Sequence, residues 1–160
     1  MSASAGGDAA AAIDDSFGTE WSEGSVATAA GAWFAVEFGS AVEIRKVTIR
    51  TGSGNNACTD IDVEYYDGSA WVVAQNIRPG ADDAVHTFAV AASSASTKWR
   101  LVSKMSPAAP YSWTIREVEM MKLFGFIDGA EAFSPIDCVS SRRCPPLDAH
   151  LAVTFSTDGP

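Results

Sequence analysis

Side chains able to do chemistry are few in this sequence and widely spread. Its two histidines, His86 and His150, stand alone. Neither accompanies a Gly-x-Ser-x-Gly turn or a cysteine cluster, so nucleophile–base pairing and zinc ligation both lack a pattern. Adjacent carboxylates occur at Asp14-Asp15 and Asp82-Asp83. Neighbouring acids on a strand or loop ordinarily point apart or hold a cation, and a glycosidase pair depends on a spacing that sequence does not decide. No glycine-rich phosphate loop is present. The three cysteines, Cys58, Cys138 and Cys144, are an odd number and not a disulfide framework. Cys138 and Cys144 could close a short loop, and free thiols in a reducing compartment fit equally well. Catalysis is therefore not expected. Recognition chemistry is on offer instead: the amides of Asn55-Asn56, the guanidinium of Arg78, and the rings of Tyr111 and Trp113.

Strands must position these groups. From Trp33 to Leu123 the apolar residues recur with period two. Trp33-Phe34-Ala35-Val36-Glu37-Phe38 puts Phe34, Val36 and Phe38 on one face, and Gly39-Ser40 is expected to end that strand. In Thr59-Asp60-Ile61-Asp62-Val63-Glu64-Tyr65, Ile61, Val63 and Tyr65 should point inward, with the three acids in water. The alternation of Val42-Glu43-Ile44-Arg45-Lys46-Val47-Thr48-Ile49 slips at Arg45-Lys46, which predicts a β-bulge. Asp67-Gly68 marks a hairpin between Tyr65-Tyr66 and Trp71-Val72-Val73. Residues 85–90, 98–102 and 113–123 read as further strands, and no stretch makes a convincing amphipathic helix. The fold class is all-β, a jelly-roll β-sandwich with an irregular C-terminal extension.

Composition narrows the partners. The 160 residues suit one domain plus a tail, and the net charge is -9 with only eleven Lys and Arg, which are scattered. Phosphate backbones require a basic face, so nucleic acid is excluded as a partner, and anionic membrane is a poor one. No segment reaches the apolar length needed for membrane insertion. Residues 1–8 are small and flexible in type, and they lack the basic and apolar regions of a secretory signal.

With the strands in order, the sequence resembles the discoidin domains, also called coagulation-factor type C domains. These include the family 32 carbohydrate-binding modules and are galactose-binding-like in fold. Ala12-Ile13-Asp14-Asp15-Ser16-Phe17-Gly18-Thr19-Glu20-Trp21 is similar to their opening signature, Ala-x-Asp-Gly-x-x-x-Thr-x-Trp. Trp33-Phe34-Ala35-Val36-Glu37-Phe38-Gly39 resembles the Trp-x-x-Val-Asp-Leu-Gly strand, and Val63-Glu64-Tyr65-Tyr66-Asp67-Gly68-Ser69-Ala70-Trp71 the Val-x-x-Ser-x-Asp-Gly-x-x-Trp hairpin. Trp99-Arg100-Leu101 and Ile115-Arg116-Glu117-Val118 look like the last two strands. The likeness spans residues 9–123. Departures are Asp15 for the usual Gly, Ser16 for Asp or Asn, and Tyr66 for Ser.

The resemblance implies a structural Ca2+ beside the first loop. Its ligands would be the carboxylates of Asp14 and Glu117, the hydroxyl and carbonyl of Thr19, and the carbonyls of Ala11 and Ser16. It also implies a ligand face built from loops at one end of the sandwich. A sugar site needs a ring to stack on C–H faces and fixed polar groups for hydroxyls. The ligand-binding set is Asn55, Asn56, Arg78, Tyr111 and Trp113; His86 is read as a surface residue. Trp21, Trp33, Trp71 and Trp99 fall on the family's packing positions.

Residues 124–160 have no counterpart in that resemblance. They carry Phe124, Phe126, Phe133 and a further strand-like run, Leu151-Ala152-Val153-Thr154-Phe155, and are too short for a core of their own. Their apolar side chains should bury on the sandwich or on a neighbouring subunit. A binding module that starts at Met1 without an export signal suits a phage virion: a tail, fibre or capsid-surface protein made in the cytoplasm, facing host glycans for adhesion and docked through residues 124–160. The alternatives are a free-standing lectin-like protein that binds a cell-surface glycan, and an assembly brick that binds no sugar.

Overall fold

The computed structural model describes residues 2–3, 7–23, 30–91, 93–105, 112–127 and 130–135. Ten strands run in chain order: β1 (Ser2–Ala3), β2 (Trp21–Ser22), β3 (Trp33–Val42), β4 (Ile44–Thr51), β5 (Ile61–Tyr66), β6 (Trp71–Ile77), β7 (Val85–Ala89), β8 (Ser96–Ser103), β9 (Thr114–Ile127) and β10 (Ala130–Pro135). Two 3-10 turns, Ala9–Ala12 and Gly54–Asn56, are the helical elements among the described residues. One sheet has the order β1-β3-β8-β5-β6, the other β10-β9-β4-β7 with β2 paired to β9. The pairings are antiparallel, and the two sheets face each other as an open sandwich, the discoidin-like jelly roll.

Period-two alternation explains the core. Phe34, Ile44, Val47, Ile49, Ile61, Val63, Leu101 and Ile115 are fully buried between the sheets, joined by Trp21, Trp99 and Trp113. Burial of each aliphatic side chain contributes roughly 1.5–3 kcal/mol. Trp21 anchors one end, tilted against Phe34 at 5.6 Å and edge-on to Trp113 at 5.3 Å. At the other, Trp99 donates its indole N–H to the carbonyls of Val42 and Ser96.

Several local expectations meet the fold directly. The slip at Arg45-Lys46 is a register shift of β4 against β9. The Asp67-Gly68 hairpin forms, with Gly68 at φ +105 and the Asp67 carboxylate accepting from the Ser69 and Ala70 N–H groups. Others differ. Gly39-Ser40 does not end a strand; β3 continues to Val42 through a register shift against β8. Asp62 and Glu64 are on the outer face of β5, but they are buried, because Lys104, Asn76 and Arg100 cover them. Ser2–Ala3 pairs with β3, where a flexible start was expected. β9 runs through Leu123, and β10 adds an edge strand, so residues 124–127 and 130–135 extend the sheet. Cys138, Cys144, His150 and the run 151–155 lie outside the described residues.

Candidate functional site

Strand register gathers the variable loops. Thr51 faces Ile115, Trp33 faces Val102, and Ile61 faces both Ser103 and Ile77. These strand ends share one end of the sandwich, so residues 52–60 and 78–84 leave from it together, beside residues 104–105 and 112–113. The first two loops are tied to each other. Gly54 N–H donates to the Ala81 carbonyl at 2.9 Å, and Ser53 bridges to Asp82. Gly52 is closely packed at the base of this loop: a Cβ there would meet the Asn56 backbone oxygen at 3.2 Å and Thr114 Cβ at 3.2 Å.

Asn55 and Asn56 sit in the Gly54–Asn56 turn with both side chains exposed. Arg78 opens the adjoining loop, 75% exposed, and reaches Asp60 at 3.7 Å. Asp60 also accepts from the Asn76 amide at 2.7 Å. The three expected polar ligands therefore share one end. Tyr111 lies outside the described residues. Trp113 is different: its indole is fully buried against Trp21. A stacking platform needs an open face, so Trp113 packs the core here. His86 is half-covered, 2.8 Å from the Asp82 carboxylate and facing the Gly80 N–H. The hydrogen bond from His86, then that from the Ala84 N–H, lowers the Asp82 pKa.

The first loop forms a second cluster. The Asp14 carboxylate accepts from the Ser16 N–H at 3.0 Å and the Thr19 hydroxyl at 2.7 Å. The Ser16 carbonyl accepts from the same hydroxyl at 3.1 Å. Ala11 belongs to the 3-10 turn that enters this loop. Asp15 adopts φ 59, a left-handed conformation in which glycine is unstrained. Glu117 comes from β9, where the register shift between Arg50 and Thr51 marks a bulge at Arg116. The bulge brings Arg116 and Glu117 to the loop side together. Burial first, then the charge of Asp14, raises the Glu117 pKa to about 7, and its buried Oε2 has no hydrogen-bond partner. Among the described residues, no three His, Cys, Asp or Glu side chains cluster as a metal site. The loop offers two carboxylates and backbone oxygens instead.

One feature of the surface escaped the sequence reading. Trp33 and Trp71 are not core residues like Trp21 and Trp99. Both are partly exposed on the outer face of the first sheet, where they line a groove of about 420 Å³. Parity carried the signal: Phe34 points inward, so Trp33, Ala35 and Glu37 must point outward.

The F5/8 type C domain model matches residues 1–102. Among curated proteins, nothing matches the sequence. The family 32 module of C. perfringens NanJ, solved with galactose, superposes with TM-score 0.62 at 19% identity, over 74% of this chain and 90% of that one. Chitosan-binding module 1 of a Paenibacillus sp. IK-5 chitosanase/glucanase gives 0.60 at 18% identity, over 78% and 92%. A Clostridium perfringens module solved with GalNAc-β-1,3-galactose gives 0.59 at 18% identity, over 74% and 91%.

Proposed function

The chain belongs to the F5/8 type C domain family, and from that premise we propose that it is a non-catalytic carbohydrate-binding module whose loop end takes a hexose-based glycan. The observation that carries this reading is the exposed trio of Asn55, Asn56 and Arg78 on two loops tied by the Gly54–Ala81 hydrogen bond. Side-chain amides both donate and accept, and a guanidinium donates in a fixed fork, which suits adjacent sugar hydroxyls. Two of the similar modules are solved with galactose and with GalNAc-β-1,3-galactose, and another binds chitosan, so galactose-type sugars are tried first and amino-sugar glycans beside them. This favours the glycan-binding reading over the virion one. The virion reading drew on residues 124–160, and none of the similar structures named above is a virion protein.

The first loop suits a structural Ca2+. Its chemistry is that of a hard cation, which takes carboxylate and carbonyl oxygens and would neutralise the repulsion between Asp14 and Glu117. The partnerless Glu117 Oε2 is the observation that fits. Asp14, Glu117, Thr19 and the carbonyls of Ala11 and Ser16 would hold it.

The test is binding of the full chain to an array of neutral glycans, with Ca2+ and with a chelator. Retention on galactose-terminated glycans, reduced at least tenfold by Arg78→Ala, supports the reading. Absence of binding to every glycan in both conditions overturns it.

A further inference from the structure

We infer that the outer face of the first sheet is a second glycan-contact surface, separate from the loop end and shaped for a neutral hexose oligosaccharide. The inference rests on the carbohydrate-binding reading and extends it to a site on different strands.

The register sets out the surface as a grid. Ala35 of β3 faces Arg100 of β8, which faces Glu64 of β5. One step along, Glu37 faces Lys98. The small side chain of Ala35 leaves the hollow, and Trp33 and Trp71 stand at its sides. Its volume, about 420 Å³, is that of a site for a small ligand. It lies on the sheet face, whereas Asn55, Asn56 and Arg78 lie on loops beyond the strand ends.

The walls are held in place. Arg100 bonds the Glu64 carboxylate at 2.6 and 2.7 Å, and its guanidinium lies over the Trp71 ring at 4.2 Å. This stack fixes the orientation of the indole. Trp71 is also packed against Tyr66 at 5.5 Å. A ring already oriented loses little freedom on binding.

Charge selects the occupant. Arg100 is neutralised by Glu64, and Lys98 is balanced by Glu37 at 3.9 Å. With Glu64 counted beneath Arg100, acids and bases around the groove balance, which leaves little net charge to attract a polyanion or a polycation. It presents apolar ring surface beside a carboxylate that accepts from hydroxyls and an ammonium that donates to them. Exposed faces of Trp suit the C–H faces of sugar rings, and the loose Glu37–Lys98 pair can open onto hydroxyls at small cost.

The experiment is an NMR titration of the full chain with three neutral trisaccharides: cellotriose, maltotriose and β-1,4-galactotriose. Indole N–H resonances of Trp33 and Trp71 report the groove, and side-chain amides of Asn55 and Asn56 report the loop end. Saturable shifts of the Trp33 and Trp71 signals are expected with at least one sugar. Ala35→Trp, which fills the hollow, should weaken them at least tenfold, and Glu37→Ala, at an exposed position that does not bear on folding, should weaken them several-fold. Silent Trp33 and Trp71 signals with all three sugars would overturn the inference, as would shifts of equal midpoint in both variants. Shifts confined to Asn55 and Asn56 would leave the loop-end reading standing and remove the groove. Shifts confined to the indoles would do the reverse.

Discussion

Asp14, on the first loop, lies near enough to Glu117, on β9, for its negative charge to hold the Glu117 proton in place. Burial and then the Asp14 charge lift the Glu117 pKa from 4.5 to about 7, and its Oε2 meets no hydrogen-bond donor. A carboxyl raised in this way binds its proton more tightly folded than unfolded. The resulting stability is fully present below about 4.5 and is lost as pH climbs through about 7. Metal-free protein should therefore be more resistant to urea at pH 5 than at pH 8. Glu117→Gln should flatten that dependence; an equally steep profile in the variant would count against this source.

Calcium should act in the opposite direction. At pH 8, Ca2+ at a hundredfold excess over its dissociation constant should add about 2.7 kcal/mol to unfolding stability. Asp14→Asn or Glu117→Gln should abolish the gain. Calorimetric melts of the three proteins with Ca2+ and with a chelator would show it, and equal melting points for wild type in the two conditions would remove the ion from the account.

Asp15 occupies a left-handed backbone conformation, φ 59, at the position where similar domains use glycine. Asp15→Gly relieves that strain and removes a negative charge that also raises the Glu117 pKa. Set against the greater freedom of an unfolded glycine, the net gain should be several tenths to about 1 kcal/mol in metal-free protein. Urea denaturation measures it, and a loss of stability would show that Asp15 holds the loop by its side chain.

Arg100 and Glu64 form a mostly covered pair on the first sheet. Arg100→Met alone should cost about 1–3 kcal/mol, because it leaves a carboxylate with little water and no partner. Adding Glu64→Gln should recover much of the loss. A double variant no more stable than the single one would mean that the packing of Arg100 over Trp71 dominates.

The sandwich was legible because alternation is a local signal: Ile61, Val63, Phe34 and Leu101 are all buried where period two puts them. The bulge at Arg45-Lys46 and the Asp67-Gly68 turn were legible for the same reason. Cover from neighbouring strands was not. Asp62 and Glu64 are buried by Lys104, Asn76 and Arg100, which come from other strands or loops. The tryptophans divide on parity and on place in the sheet. Trp113 immediately precedes β9 beside Trp21 and is enclosed, whereas Trp33 and Trp71 stand on the outer face. The Asn55, Asn56 and Arg78 loops could be named from sequence, but their junction through Gly54 and Ala81 is a property of the fold.

Isothermal titration of the full chain with galactose, beside Asn56→Ala and Arg78→Ala, tests the glycan-binding account most directly. The account predicts saturable binding by wild type at one loop-end site, weakened at least tenfold in each variant while the melting temperatures stay within a degree or two. Binding of equal strength in all three proteins would place the sugar elsewhere, and no heat from galactose or from any array-positive glycan would contradict the account outright.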